Sequence, residues 1–167
     1  RPWVICRDGE TPASALALIE DLALDLGAVP IEMTPEEHDR SVALVSHVPQ
    51  VVASLLAARF FEAPEMSLSL AGQGVRDTTR IAASAPELWV QILAANAAPV
   101  VEQLDLIAAD LQRVADALRD PEAAGARRTT ADAIRDGNLG VARLPGKHGQ
   151  RRMFETFVVM VDDASGQ

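Results

Sequence analysis

Apolar positions along this chain recur at two spacings, and the change between them marks its elements. Trp3-Val4-Ile5-Cys6 is a short apolar run that predicts a buried strand. Thr11-Pro12 then opens a helix with Ala15, Leu16, Leu18, Ile19, Leu22, Ala23 and Leu26 as its apolar positions, and Gly27 suits its C-terminal cap. Val29-Pro30-Ile31-Glu32-Met33 predicts a second short strand despite its proline. Strand, helix and strand in about thirty residues make a βαβ-like unit.

Helical spacing takes over from Thr34. Thr34-Pro35-Glu36-Glu37 is a strong start: Thr34 as N-cap, Pro35 in the first helical position, Glu37 completing a capping box. This helix is expected to run to about Phe61, with Val42, Val45, Val52, Leu55, Leu56 and Phe60 among its apolar residues. Pro49 inside it removes a backbone donor and predicts a kink that turns Ser46 and His47 toward a cavity. A short helix from Pro64 to about Ala71 follows, then a glycine turn, then a helix from Val75 to Ser84. Ser84 is the expected N-cap of the next helix, with Pro86 and Glu87 in its first turn.

The longest predicted helix runs from about Ala95 to Arg119. Ala97, Val100, Leu104, Ile107, Leu111, Val114 and Leu118 repeat with 3,4 spacing, a coiled-coil-like seam widened by Ala108 and Ala115. Such a helix serves either inside a bundle or at a dimer interface. Asp120-Pro121 ends it, and a further helix from Glu122 to Arg135 is stopped by Asp136-Gly137-Asn138. Residues 140–152 read as a basic linker, whose Arg143, Lys147, His148, Arg151 and Arg152 could alternatively meet an anion. Phe154 to Val161 alternates and is β-branched, as in a strand.

Composition narrows the class. Of 167 residues 49% are hydrophobic but only 4% aromatic, so alanine and leucine carry the apolar surface and favour helix. The net charge of -9 argues against a general nucleic-acid or anionic-membrane binder. Cys6 is the single cysteine, so no intrachain disulfide forms, and a reducing, cytoplasmic setting is expected. No apolar run is expected to span a bilayer. The chain opens on Arg1-Pro2 without a Met and passes straight into a strand, which reads as part of a longer protein.

Candidate chemistry gathers in Gly72-Gln73-Gly74-Val75-Arg76-Asp77-Thr78-Thr79-Arg80. Gly72 and Gly74 permit a tight turn and close approach to a ligand. In a helix, Asp77 and Arg80 lie one turn apart and can pair, which would aim the guanidinium, a planar fork suited to a carboxylate. The same spacing also suits an ordinary surface ion pair. His47 alone fits a helix residue satisfied by a neighbouring carbonyl. His38, nine residues earlier, is about half a turn out of phase, so the two are no metal pair, and His38 is expected to cap or position the helix start. Trp89 fits a core or interface anchor.

The run Gly72-Gln73-Gly74-Val75-Arg76-Asp77-Thr78-Thr79-Arg80-Ile81-Ala82-Ala83-Ser84, with Pro86-Glu87-Leu88-Trp89 after it, resembles the signature of the prephenate dehydrogenase family. So do His38-Asp39-Arg40 and Ser46-His47-Val48-Pro49 upstream. The resemblance extends from Arg1 to about Val161. It implies a mainly α fold, a bundle of about six helices of the 6-phosphogluconate-dehydrogenase C-terminal-like type, preceded by a βαβ remnant of a Rossmann domain. Residues 1–33 would end a nucleotide-binding domain and 34–138 form the substrate-binding and dimerisation domain. Residues 139–152 would be the linker, and 153–167 the first strand of an ACT-like domain.

The implied reaction is NAD- or NADP-dependent oxidative decarboxylation of prephenate to 4-hydroxyphenylpyruvate, on the route to tyrosine. The catalytic histidine of the family belongs to the nucleotide-binding domain, so none is expected in this chain, which alone would be inactive. By resemblance Arg80 clamps a substrate carboxylate with Asp77 orienting it. Ser46 and His47 form a polar wall, and Trp89 closes the pocket, either of its own chain or of the partner subunit. Two departures stand where the substrate side chain would be read: Gln50 replaces a second histidine, and Gln73 a middle glycine. They leave prephenate and arogenate both open as substrates. A homodimer through the helical region is implied, with no nucleic-acid, membrane or metal partner. The competing reading is a non-catalytic helical dimerisation module, which would have no need of the glycine turn, Asp77, Arg80 and Ser46-His47 together.

Overall fold

The computed structural model describes residues 1–145. The strand at Phe154 to Val161 and the cations Lys147, His148, Arg151 and Arg152 lie outside the described residues. The chain falls into two compact units, Arg1–Ala108 and the remainder.

The first unit opens with β1 (Pro2–Cys6), α1 (Ala13–Asp25) and β2 (Val29–Met33). The strands are parallel neighbours, Pro2 opposite Val29 through Cys6 opposite Met33. Val29 N–H donates to the Arg1 carbonyl. In a strand the N–H groups alternate in direction, so the donor missing at Pro30 lies on the side away from β1. Gly27, at φ 69, supplies the left-handed residue that closes α1. Its N–H bonds to Leu24 and that of Ala28 to Ala23, which satisfies the last carbonyls.

The capping box at Thr34 is formed in full. Glu37 N–H donates to the Thr34 hydroxyl at 3.2 Å, and Thr34 N–H to the Glu37 carboxylate at 2.8 Å. That backbone bond, and then the Thr34 hydroxyl, hold the Glu37 carboxyl below its ordinary pKa. A lowered folded pKa gives stability that is present above the unfolded value and is lost as pH falls through the folded one. The stability advantage of wild type over Glu37→Gln is therefore expected in full at neutral pH and should fade on acidification. Urea midpoints across pH check this; a difference that does not change with pH would assign the effect to something other than ionisation.

The expected long helix is continuous but not uniform. It comprises α2 (Pro35–Val42), a π-helical turn (Ala43–His47) and α3 (Val48–Ala58). Pro49 has no N–H for the Val45 carbonyl and its ring crowds that oxygen. The helix widens instead, and Val48 N–H reaches back five residues to Ala43. Ala43 and Val48 thereby share one face, packed with Val100 and flanked by Leu93 and Leu104. Taken as one helix, Pro35–Ala58 is long and apolar enough to cross a membrane by length and composition, contrary to the sequence expectation. Here its middle carries the buried side chains His47 and Gln50 and is packed by other helices. A core helix of a bundle passes the same length test.

Further on, α4 (Glu65–Leu68) is shorter than expected, and α5 spans Gln73–Thr79. A 3-10 turn (Arg80–Ala82) follows, and both it and α5 pack along α3. Then α6 (Pro86–Ala95) meets α7 (Ala97–Arg119) at a bend of 97° at Asn96. Pro86 occupies the first helical position, so Ala85 is the N-cap, not Ser84. The seam on α7 is buried at Val100 but open further along, where Leu111 is 69% and Leu118 59% exposed.

In the second unit, α8 spans Ala126–Ala142. It begins four residues later than predicted, after Gly125 at φ 89, and continues through Gly137 and Asn138. A helical glycine costs only about 1 kcal/mol against alanine and does not enforce a stop. Residues 139–142 are thus helical and not part of a linker. The mainly α fold behind a βαβ unit stands as expected.

Candidate functional site

The π-helical turn decides which polar residues face inward. His47 and Gln50, three residues apart, are both buried, whereas Ser46 is exposed. The kink therefore does not turn Ser46 inward with His47: neighbouring helical positions point about 100° apart. His38 does not cap the helix. Its ring Nδ1 pairs with the Asp39 carboxylate at 3.0 Å near the surface.

His47 lies between two elements. The Trp89 ring from α6 meets it edge-on, centroids 6.2 Å apart at 80°. Asn96, buried at the α6–α7 bend, also reaches it. Asn96 Nδ2 donates to the Asp39 carbonyl at 2.8 Å and lies 3.1 Å from His47 Nδ1. Gln50 donates to the Ser54 hydroxyl at 3.3 Å and accepts from the Ser84 hydroxyl at 3.5 Å. Ser84 also bonds the Ile81 carbonyl at 2.6 Å, which ties the Arg80–Ala82 turn to α3. Among the described residues no buried side-chain nitrogen or oxygen lacks a partner. A buried polar cluster that is fully satisfied holds its members in fixed orientations.

The Gly72–Arg80 segment differs from its expected form. Gly72 is the extended N-cap of α5 at φ -87, and Gly74 lies inside the helix. Neither needs a glycine for its backbone angles, so the run is a helix start and no left-handed turn. A Cβ added at either would meet nothing within 4 Å, so the backbone there is open to approach. Asp77 does not pair with Arg80. Its carboxylate accepts from the Gln73 side chain at 2.7 Å, one turn earlier. The helix ends at Thr79, and Arg80 enters the tighter 3-10 turn with a different phase. Arg80 is exposed and has no carboxylate partner among the described residues.

Two cavities border these residues. One of about 410 Å³ is lined by Asn96 with Glu36, Asp39, Arg40, Pro99 and Glu102. The other, about 500 Å³ and apolar, is lined by Gly72 with Phe60, Leu68, Leu70 and Val75. Gln73 and Arg80 line neither. Among the described residues no group of three or more His, Cys, Asp or Glu could hold a metal ion. Asn96 was not singled out from the sequence. The available signal was an asparagine between two apolar helical stretches, just ahead of Ala97-Ala98-Pro99, where a helix boundary is expected.

Residues 34–129 match the family described as "Prephenate dehydrogenase, dimerization domain", more than half of the chain. The chain is 35% identical to "Probable prephenate dehydrogenase NovF" of Streptomyces niveus over 89% of this chain and 43% of that protein. Prephenate dehydrogenase from A. aeolicus, solved with hydroxyphenyl propionate and NAD+, superposes with TM-score 0.66 at 26% identity, covering 83% of this chain and 50% of that one. Synechocystis arogenate dehydrogenase superposes at 0.67 with 25% identity, covering 84% and 52%. The chain spans less than half the length of the curated relatives it matches. It belongs to the prephenate dehydrogenase family, and its residues 34–129 are that family's dimerization domain.

Proposed function

We propose that the full-length protein is an NAD(P)-dependent dehydrogenase of prephenate or arogenate, serving tyrosine formation. In this reading the present chain supplies the substrate's carboxylate clamp and the dimer interface. The observation that carries it is the buried His47, Gln50 and Asn96 beside the turn that presents an exposed Arg80 with no carboxylate partner among the described residues. The prephenate reaction oxidises the hydroxyl-bearing ring carbon and loses CO2 as the ring becomes aromatic, the oxygen regaining its proton in the phenol; a dinucleotide held by the full-length protein would supply the hydride acceptor. The arogenate reaction is the same with an amino group on the side chain.

The residues present do not by themselves fit a dinucleotide. The loop between β1 and α1, Arg7-Asp8-Gly9-Glu10-Thr11-Pro12, holds one glycine and two carboxylates. The Asp8 side chain accepts from Thr11 and from Glu10 N–H, which keeps its pKa low and the loop anionic. A pyrophosphate cradle needs free N–H groups and small residues instead. The dinucleotide and the base therefore fall to residues outside this chain. What the chain's own residues do is hold substrate: Arg80 takes a carboxylate, His47 and Gln50 give polar contacts, Trp89 bounds the ring, and Gln73 holds Asp77 at the start of α5.

Homodimer formation through the helical domain belongs to the same proposal. The matched family is described as a dimerization domain, and the outer seam of α7 is apolar and open. The direct test uses the intact protein with NAD+ and NADP+, and prephenate and arogenate as alternative substrates. Reduction with one pair identifies substrate and cofactor together. No reduction with any pair would leave a helical dimerisation module without dehydrogenase activity.

A further inference from the structure

The Asp39 carbonyl oxygen can only accept, so the Asn96 side-chain nitrogen faces it and gives it one of its two hydrogens. The second hydrogen is left for His47 Nδ1, 3.1 Å away, and that nitrogen must then be the acceptor. We infer that Asn96 is a positioning residue that fixes His47 as the neutral tautomer carrying its proton on Nε2. It thereby makes the ring a hydrogen-bond donor on the edge remote from Asn96.

Two further observations support a device built for orientation. Asn96 sits at the 97° bend between α6 and α7, so its backbone is held by both helices. Trp89, on α6, packs edge-on against the same imidazole and fixes its plane. One side chain thus links the middle of α2, the π-helical turn and the α6–α7 corner, and sets both the proton position and the direction of the ring. In the dehydrogenase reading, a donor at Nε2 suits an anionic or carbonyl oxygen of substrate. The functional meaning of the inference rests on that reading; the tautomer does not.

The test uses the full-length protein labelled with 15N-histidine at a pH where the rings are neutral. Long-range proton–nitrogen correlation reports which ring nitrogen is protonated, and a His47→Gln variant assigns the signal by its loss. Wild type is expected to show Nδ1 bare and Nε2 protonated. Asn96→Asp, which offers only acceptors, is expected to draw a proton onto Nδ1. Asn96→Ala is expected to give a mixture of tautomers. In the two Asn96 variants KM for substrate should rise roughly tenfold, the scale of one lost hydrogen bond, with a smaller change in kcat. A protonated Nδ1 in wild type would overturn the inference even if neither variant folds. An Asn96→Asp spectrum unchanged from wild type would do the same. A tautomer that shifts as expected in a protein that reduces no dinucleotide would sink the dehydrogenase reading and leave this one standing.

Discussion

Arg80→Ala in the full-length protein is expected to raise KM for the carboxylate-bearing substrate by roughly 10- to 100-fold, with kcat changed much less. That range follows from the loss of charge-assisted hydrogen bonds worth about 1.5–3 kcal/mol. A contact made equally to bound substrate and to the transition state acts on KM when it is removed. The guanidinium is exposed and without a carboxylate partner among the described residues, so no internal ion pair must break before it binds an anion. Arg80→Lys should fall between, since it keeps the charge and loses the planar fork. Asp77→Asn provides the contrast. Its carboxylate is engaged by Gln73 and not by Arg80, so KM should stay near the wild-type value. Steady-state kinetics on the three variants decide the matter. An unchanged KM in Arg80→Ala would remove Arg80 from the clamp, and a large effect in Asp77→Asn would restore it as the group that orients Arg80.

The second large effect is expected on assembly. Leu111→Lys combined with Leu118→Lys should convert a dimer of the full-length protein into a monomer, as read by sedimentation or light scattering. Both side chains stand well exposed on the α7 seam, so the substitutions disturb little within one chain. A charged lysine taken into an apolar interface without a partner is strongly unfavourable. A stable dimer in the double variant would put the interface on another face.

Much of the fold was legible because it depends on local signals. The capping box at Thr34, the Gly27 cap and the Pro121 stop each act within a few residues, and each appears where the chain places its side chain. The errors arose where one local signal met another. Asp136-Gly137-Asn138 reads as a stop, but glycine only taxes a helix, and no proline follows until Pro145. Ser84 has the side chain of an N-cap, yet Pro86 fixes the first helical position one residue too late for it.

The candidate site was legible in part. His47 meets Trp89 and Gln50 is buried one turn further on, but the partners that fix them are distant in sequence. Asn96 lies 49 residues from His47, and Ser84 lies 34 from Gln50. Such pairings depend on how helices cross, which spacing along one helix does not encode. The Asp77–Arg80 pair failed for a different reason. Its geometry assumed a helix through Arg80, and the helix had already tightened.

The widened turn at Ala43–His47 can also be considered as an insertion. It holds one residue more than a regular turn would, and that surplus lets Ala43 and Val48 lie on the same face against Val100. Removing one residue there, together with Pro49→Ala, would let the segment relax into an unbroken rod at little local cost. Every side chain upstream would then be rotated by about 100° relative to those beyond the deletion. The capped start of the helix and its far half could no longer both face their neighbours. The segment from Ala43 to His47 should therefore tolerate substitution of its outward residues, such as Leu44 and Val45, far better than any change in its length.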